Sequence, residues 1–286
     1  MIVDVHTHVG EYPEHIGEKF ASEAREAWPE VVLGRTQDEH YGEALDGVDV
    51  AIVLAFDAPA AGFVVPNEYV ADYVSRDPGR LIGFGAVDPH DPGAVDELER
   101  FADLGLAGCK LCPIYQDVDP LEPKFQVLCA ALERLELPML IHQGTTFSRA
   151  GSLLQARPAL LDEIALRYPR LRIVIAHMGH PWFDETIAVI RRHPFVFADV
   201  SALVGRRWLL YQALVAAAEY RVTHKLLFGT DFPFFTARQT IDGLRSVTGA
   251  AFGPGLPAVD EQVVEEIIAR PSLELLEISR RHPTGL

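Results

Sequence analysis

Apolar residues recur along the chain in short, nearly unbroken runs separated by longer stretches of mixed character. Eight of these runs have strand length and are rich in Val, Ile, Leu and Phe: residues 2–5, 48–56, 81–87, 106–112, 139–141, 172–176, 196–200 and 225–228. Continuous rather than alternating apolarity is what a parallel strand covered on both faces requires. Between the runs, apolar positions fall at helical spacing over 67–76, 92–104, 124–135, 159–168, 182–192 and 208–220. Asp91 and Pro92 read as the N-cap and first residue of the second of these helices. The long acidic connection after the first run predicts two helices, the later one over 37–45, partly covering one end of the sheet. Beyond the eighth run, 237–247 and 260–280 read as helical on either side of a Gly253-Pro254-Gly255 loop.

Regular alternation of strand and helix implies a parallel sheet. Eight such units, the first at the start of the chain, predict closure into a (β/α)₈ (TIM) barrel of the α/β class. That architecture takes about 250 residues, so the 286 residues are expected to form one domain, 1–286. A doubly wound open sheet would carry a glycine-rich phosphate turn after its first strand, and His6-Thr7-His8-Val9-Gly10 is not one.

Charge narrows the partners. The formal net charge is −16, from 41 acidic against 25 basic residues. Such a surface repels phosphate backbones and anionic membranes, so neither nucleic acid nor membrane is an expected partner. A small anionic substrate stays compatible, because a metal and a few basic side chains reverse the field inside one pocket. Three cysteines without framework spacing predict a reducing, cytoplasmic setting. No signal peptide is expected at the N-terminus, and no apolar run approaches the ~20 residues of a membrane span. A homo-oligomer is compatible with the sequence, which carries no signature of one.

Candidate chemistry gathers at the ends of the apolar runs. In a strand, residues i and i+2 share a face, so His6 and His8 project together. Taken alone, this pair fits two metal ligands as well as it fits one hydrogen-bonded core histidine beside a loop cap. Three later runs end in the same way: Ile141-His142-Gln143-Gly144, Ala176-His177-Met178-Gly179 and Gly229-Thr230-Asp231-Phe232-Pro233. Barrel active sites lie at the C-terminal ends of the strands, so His6, His8, His142, His177 and Asp231 fall on one rim. Four strands ending in His or Asp point to a metal site.

These pieces, with Gly108-Cys109-Lys110-Leu111, resemble the amidohydrolase superfamily. They are closest to its amidohydrolase-2 branch, the aminocarboxymuconate-semialdehyde-decarboxylase-like metal-dependent hydrolases. They follow that family's order across nearly the whole chain. The resemblance implies that His6, His8, His142 and Asp231 bind one divalent metal ion, with Asp231 and His177 catalytic. Nitrogen and oxygen ligands suit Zn²⁺, with Mn²⁺ as the alternative. The expected activity is a metal-dependent hydrolase that turns an activated water on a small, carboxylated amide, ester or lactone. The alternative is a non-oxidative decarboxylase of a small aromatic or unsaturated acid. A barrel that binds metal without catalysis is a third reading, weakened by the presence of both Asp231 and His177.

Lys110 stands where binuclear relatives carry a carboxylated, metal-bridging lysine. It reads instead as a cation for a substrate carboxylate or as a structurally paired lysine. Arg149 and His180 are further substrate-binding candidates, and Arg206 and Arg207 offer the same chemistry after the seventh run. Asp199 reads as a hydrogen-bonded support for the site, and Trp182 and Phe183 as packing residues. Cys109 and Cys112 sit three apart in a strand, so their sulfurs diverge and no redox or zinc pair is expected. Cys129 reads as a small buried hydrophobe. His15, His40, His90, His193, His224 and His282 lie in polar contexts and are expected at the surface.

Overall fold

Strands Val50–Leu54 (β2) and Leu81–Ala86 (β5) have every residue buried, as continuous apolarity demands. In the computed structural model, which describes residues 1–278, they belong to one parallel sheet of eight strands. The others are Val3–His8 (β1), Gly108–Leu111 (β6), Met139–Ile141 (β7), Ile173–Ile175 (β8), Val196–Asp199 (β9) and Leu226–Leu227 (β10). The order is β1-β2-β5-β6-β7-β8-β9-β10, with every pairing parallel. β1 meets the chain that follows β10 through Val5 N–H to Phe228 O at 3.0 Å, Asp231 N–H to His6 O at 2.8 Å and His8 N–H to Phe232 O at 2.8 Å. The sheet is therefore wrapped into the expected barrel, with helices outside.

Side chains fill the interior in layers. Val3, Val5, Ile52, Phe84, Leu140 and Val174 belong to one buried cluster inside the strands. Gly108 makes room for the Phe84 ring, because a Cβ there would lie 2.5 Å from it. The short helix Ser272–Leu275 contacts β1, and Leu273, Leu276 and Ile278 join the interior cluster, stopping the barrel at its N-terminal end. The outer cluster packs helices on strands and takes in Cys109, Cys112 and Cys129, all free and buried.

Several expectations shift. The run 48–56 splits, and its end becomes Phe56–Ala58 (β3), which forms a hairpin with Phe63–Val65 (β4). The helix expected from Pro92 begins at Ala94, with Gly93 as its N-cap; Asp91 turns its carboxylate to the Gly93 N–H at 2.8 Å instead. The segment 260–280 divides into Glu261–Ile268 and Ser272–Leu275; its last two residues, and His282, lie outside the described residues. The acidic connection forms Glu18–Ala27 (α1) and Gln37–Glu43 (α2), the latter opened by a Thr36/Glu39 capping box. No helix of the described residues is long and apolar enough to cross a membrane.

Candidate metal centre and active-site cavity

The bend that aims the first two histidines lies in β1. Its register against β2 shifts between Asp4 and Thr7. Val5 consequently stays in the interior cluster while the next residue, His6, lines the open end of the barrel with His8. A bulge re-aims side chains in this way. His6 Nε2 lies 3.2 Å from His8 Nε2 and 3.3 Å from Asp231 Oδ1, and His8 Nε2 lies 3.4 Å from the same oxygen. Three potential donors thus converge on one point.

Asp231 is delivered from the other side of the closure. Its backbone has φ 61°, a left-handed conformation uncommon for a residue with a side chain. It is held there by its neighbours. Thr230 donates its N–H and hydroxyl to Asp4 at 3.0 and 2.7 Å, and Asp231 N–H is taken by His6 O. His177 has a similar backbone, φ 54°, pinned by Asp199 accepting its N–H at 2.9 Å. Strained backbone at two neighbouring site residues is stored where the surroundings over-determine it.

Asp199 is the hub beneath these groups. It is fully buried at the end of β9. One oxygen takes His6 Nδ1–H at 2.9 Å; the other takes the N–H groups of His177 and Ser201 and the Ser201 hydroxyl. With its hydroxyl hydrogen committed to Asp199, Ser201 accepts from His177 Nδ1–H at 2.7 Å. Both rings therefore carry their proton on Nδ1 and turn an Nε2 lone pair toward the cavity, the form a metal or proton acceptor needs. His177 Nε2 faces Asp231 Oδ2 at 4.0 Å.

The ionisation states agree. Burial pushes His6, His8 and His142 below the ordinary imidazole range and His177 down to about 4, so all four are neutral at pH 7. Burial works against the Asp231 anion, but the surrounding imidazoles of His177 and His6 and a hydrogen bond with His8 outweigh it and hold the carboxyl well below its usual range. Asp199 is held low in the same way, burial being overcome chiefly by His6.

These residues fit a divalent ion. His6, His8 and Asp231 offer ligand atoms within 4.8 Å of one another, and His6, His177 and Asp199 form a second such group. Among the described residues, buried His142 Nε2 has no hydrogen-bond partner, a costly state for a polar atom that a ligand relieves. His142 belongs to neither close group, but its ring meets His177 at 5.2 Å between centroids. Lys110, 1% exposed, places Nζ 3.2 Å from His6 Nε2.

The cluster forms the floor of a cavity of about 390 Å³. Its wall is strongly aromatic, with Phe20, Phe56, Phe63 and Tyr115, and Trp28 stacked on Phe234 at 5.5 Å. The segment between α1 and α2 lines one side, as the acidic connection was expected to. His180 and Arg206 line the cavity; Arg149 does not. Arg149 is exposed and paired with Glu26 at 2.6 Å, so the structure does not bring it to the site. Arg207 donates to Ser246 O at 2.6 Å, away from the site.

Two contributors escape the sequence. Tyr115 lies against His142 at 4.9 Å and accepts from the Thr146 hydroxyl at 2.6 Å. His40, expected at the surface, is fully buried: Nε2 donates to Thr7 Oγ1 at 3.0 Å and Nδ1 accepts from Tyr73 at 2.9 Å, while Thr7 donates to Ile52 O. His193 is also buried, paired with Asp162 at 2.7 Å. The regular placement of His40 on α2 among polar residues gave no sign that this face turns inward.

A family model described as amidohydrolase matches residues 3–270. The chain belongs to that amidohydrolase family. Four curated relatives are named gamma-resorcylate decarboxylase. The one from Rhodococcus jostii is 24% identical over 260 residues, 70% of this chain and 76% of its own. Among solved structures, an uncharacterized TIM-barrel protein from Bordetella bronchiseptica is 18% identical with a TM-score of 0.75, covering 98% of this chain and 99% of its own. A dihydroxybenzoic acid decarboxylase from Polaromonas sp., with bound manganese and the inhibitor 2-nitroresorcinol, is 18% identical with a TM-score of 0.65, covering 98% and 97%. These two likenesses show the fold. The curated relatives overturn the hydrolase expectation: the sequences this amidohydrolase-family chain aligns with are decarboxylases. The ligand pattern could not separate the two, because both chemistries use the same donors.

Proposed function

We propose that this chain is a metal-dependent, non-oxidative decarboxylase of a small hydroxylated aromatic acid. The observation that carries the reading is the seat of Asp231. It stands among ligand imidazoles and beside His177, at the floor of an aromatic-walled cavity. The names of the curated relatives support it.

The reaction breaks the bond between ring carbon and carboxylate, releases CO₂ and places a proton on that carbon. His6, His8 and Asp231 would hold the ion, with His142 as a further donor. The manganese in the Polaromonas enzyme favours Mn²⁺ over Zn²⁺ here. A bound divalent ion would supply a Lewis acid that anchors oxygens of the substrate. Lys110 adds a positive charge at the same depth for the carboxylate. Asp231 takes a proton, from a substrate hydroxyl or through His177, and delivers it to the ring carbon. Asp199 and Ser201 keep His177 in the tautomer whose Nε2 faces Asp231. Phe56 and Phe63, stacked at 4.1 Å, offer the ring a dry wall.

The test is a panel of hydroxybenzoic acids given to protein loaded with Mn²⁺ or Zn²⁺. Expected are CO₂ and the decarboxylated arene in equal amounts, with deuterium at the vacated carbon when the solvent is D₂O. Metal-loaded protein that releases CO₂ from no member of the panel overturns the proposal.

A further inference from the structure

The aromatic wall of the cavity continues past the ligands. Two of its rings touch ligand imidazoles: Phe56 lies 5.8 Å from His8, and Tyr115 lies 4.9 Å from His142, between centroids. Phe56 and Tyr115 meet edge to face at 5.6 Å and form an inner tier. An outer tier begins behind them. Phe63 stacks on Phe56 at 4.1 Å, Phe20 leans on Phe63 at 4.9 Å, and Phe147 meets Phe20 edge-on at 5.1 Å. All of these rings line the cavity, and among the described residues none of the outer three is in ring contact with a ligand imidazole. The outer tier is assembled from separate elements: α1 carries Phe20, β4 carries Phe63, and Phe147 follows β7. Helix α1 ends on its C-cap Trp28, which is 36% exposed and stacked on Phe234 at the mouth. Phe234 is tied to the floor by its N–H, which bonds to Asp231 O at 2.9 Å.

An acid anchored by its carboxylate at the ligands lays its ring against the inner tier and leaves the outer one facing water. The hydroxyl on that side is already spent: Thr146 donates to Tyr115 at 2.6 Å and accepts from Ser148 N–H at 3.1 Å. Apolar surface of this kind gains free energy when apolar matter covers it. Size agrees. The cavity of about 390 Å³ lies within the ~300–1,000 Å³ of pockets that hold drug-sized ligands, whereas a hydroxybenzoic acid has only about ten non-hydrogen atoms. We propose that Phe20, Phe147 and Trp28 form an arm that takes an apolar tail of several carbons on the substrate ring, so that the preferred substrate is a long-chain alkylated hydroxybenzoic acid. This rests on the decarboxylase reading for the acid head, but the binding it claims is measurable without turnover.

The experiment titrates Mn²⁺-loaded protein calorimetrically with 2-hydroxybenzoate and with its methyl, propyl and pentyl derivatives, substituted at each free ring carbon in turn. At one position the dissociation constant should fall by about fourfold per added methylene, the worth of burying one such group. In Trp28→Ala and in Phe147→Ala that gain per methylene should shrink toward none. In Leu154→Ala, a control at an exposed position outside the cavity, it should match wild type. Because the readout is the slope within one protein, a general loss of affinity in a variant does not imitate the result, and exposed Trp28 is replaceable without opening the core. A gain under about twofold per methylene at every position, or one that survives both cavity substitutions, overturns the proposal. If no acid releases CO₂ but the slope behaves as expected, the decarboxylase reading fails and the apolar arm stands. If 2-hydroxybenzoate is decarboxylated and every series is flat, the reverse holds.

Discussion

Replacing Asp199 by Asn removes one charge and almost no volume, yet it should disable the metal centre. One carboxylate oxygen accepts from His177 N–H at 2.9 Å, Ser201 N–H at 3.0 Å and the Ser201 hydroxyl, and the other accepts from His6 Nδ1–H at 2.9 Å. An amide has one accepting end. The three donors on the first oxygen will claim it, leaving the NH₂ facing His6 Nδ1. His6 then accepts at Nδ1 and carries its proton on Nε2, the atom 3.2 Å from His8 Nε2 and 3.3 Å from Asp231. The lone pair needed for a ligand is lost. Substitutions of this supporting kind cost about 10–100-fold in metal affinity, or ~1.4–2.7 kcal/mol. The assay is competition between apoprotein and a chromophoric chelator for Mn²⁺ or Zn²⁺, with ¹⁵N NMR of His6 reporting the tautomer. An Asp199→Asn protein that binds metal within about twofold of wild type, or whose His6 keeps its proton on Nδ1, refutes the reasoning.

Asp231→Asn, assayed at saturating metal, should lower kcat by about 10²–10⁴, the range of a lost proton-transfer group; turnover unchanged in steady-state CO₂ release removes it from the mechanism. His40 is pushed by burial down to about 3, so the folded state binds fewer protons than the unfolded one between pH 6.5 and 3. Its contribution is present above pH 6.5 and drains away as pH falls toward 3, at up to ~1.4 kcal/mol per pH unit. His40→Gln should flatten the stability–pH curve by one proton in urea unfolding between pH 4 and 7, and parallel curves would contradict this. Gly108→Ala drives a methyl to 2.5 Å from the Phe84 ring and should cost about 1–3 kcal/mol in urea unfolding; a neutral result would mean that the ring has room to move.

The strand runs and the rim residues were legible because burial on both faces and the placement of sites at strand ends leave marks in one dimension. Met139–Ile141 appears at the expected residues, and His6, His8, His142, His177 and Asp231 all line one cavity. Asp199 was legible as a support because a carboxylate inside an apolar run must be satisfied by something. The register shift in β1 was not, since a bulge changes pairing without changing composition. His40 was misread because Gln37-Asp38-Glu39 and Tyr41 surround it with polar residues, whereas its burial depends on Tyr73 and Thr7, distant in sequence. That Arg149 would pair with Glu26 was not legible, because a free arginine and one held by a distant glutamate look alike until the chain is folded. The reaction was not readable from the ligands, which are indifferent to whether water or a ring carbon receives the proton.

The seam between the two ends of the barrel sets a schedule for the protein's birth. His6 leaves the ribosome 225 residues (231 − 6) before Asp231, the residue whose N–H closes on His6 O. At ~5–20 residues per second the first half of the ligand set waits on the order of tens of seconds for the second. For most of that wait the His6–His8 pair has neither Asp231 nor Asp199 to orient it. Tight capture of an ion would therefore need a chain that already carries Asp231, so that barrel closure and acquisition of the ion would become a single event.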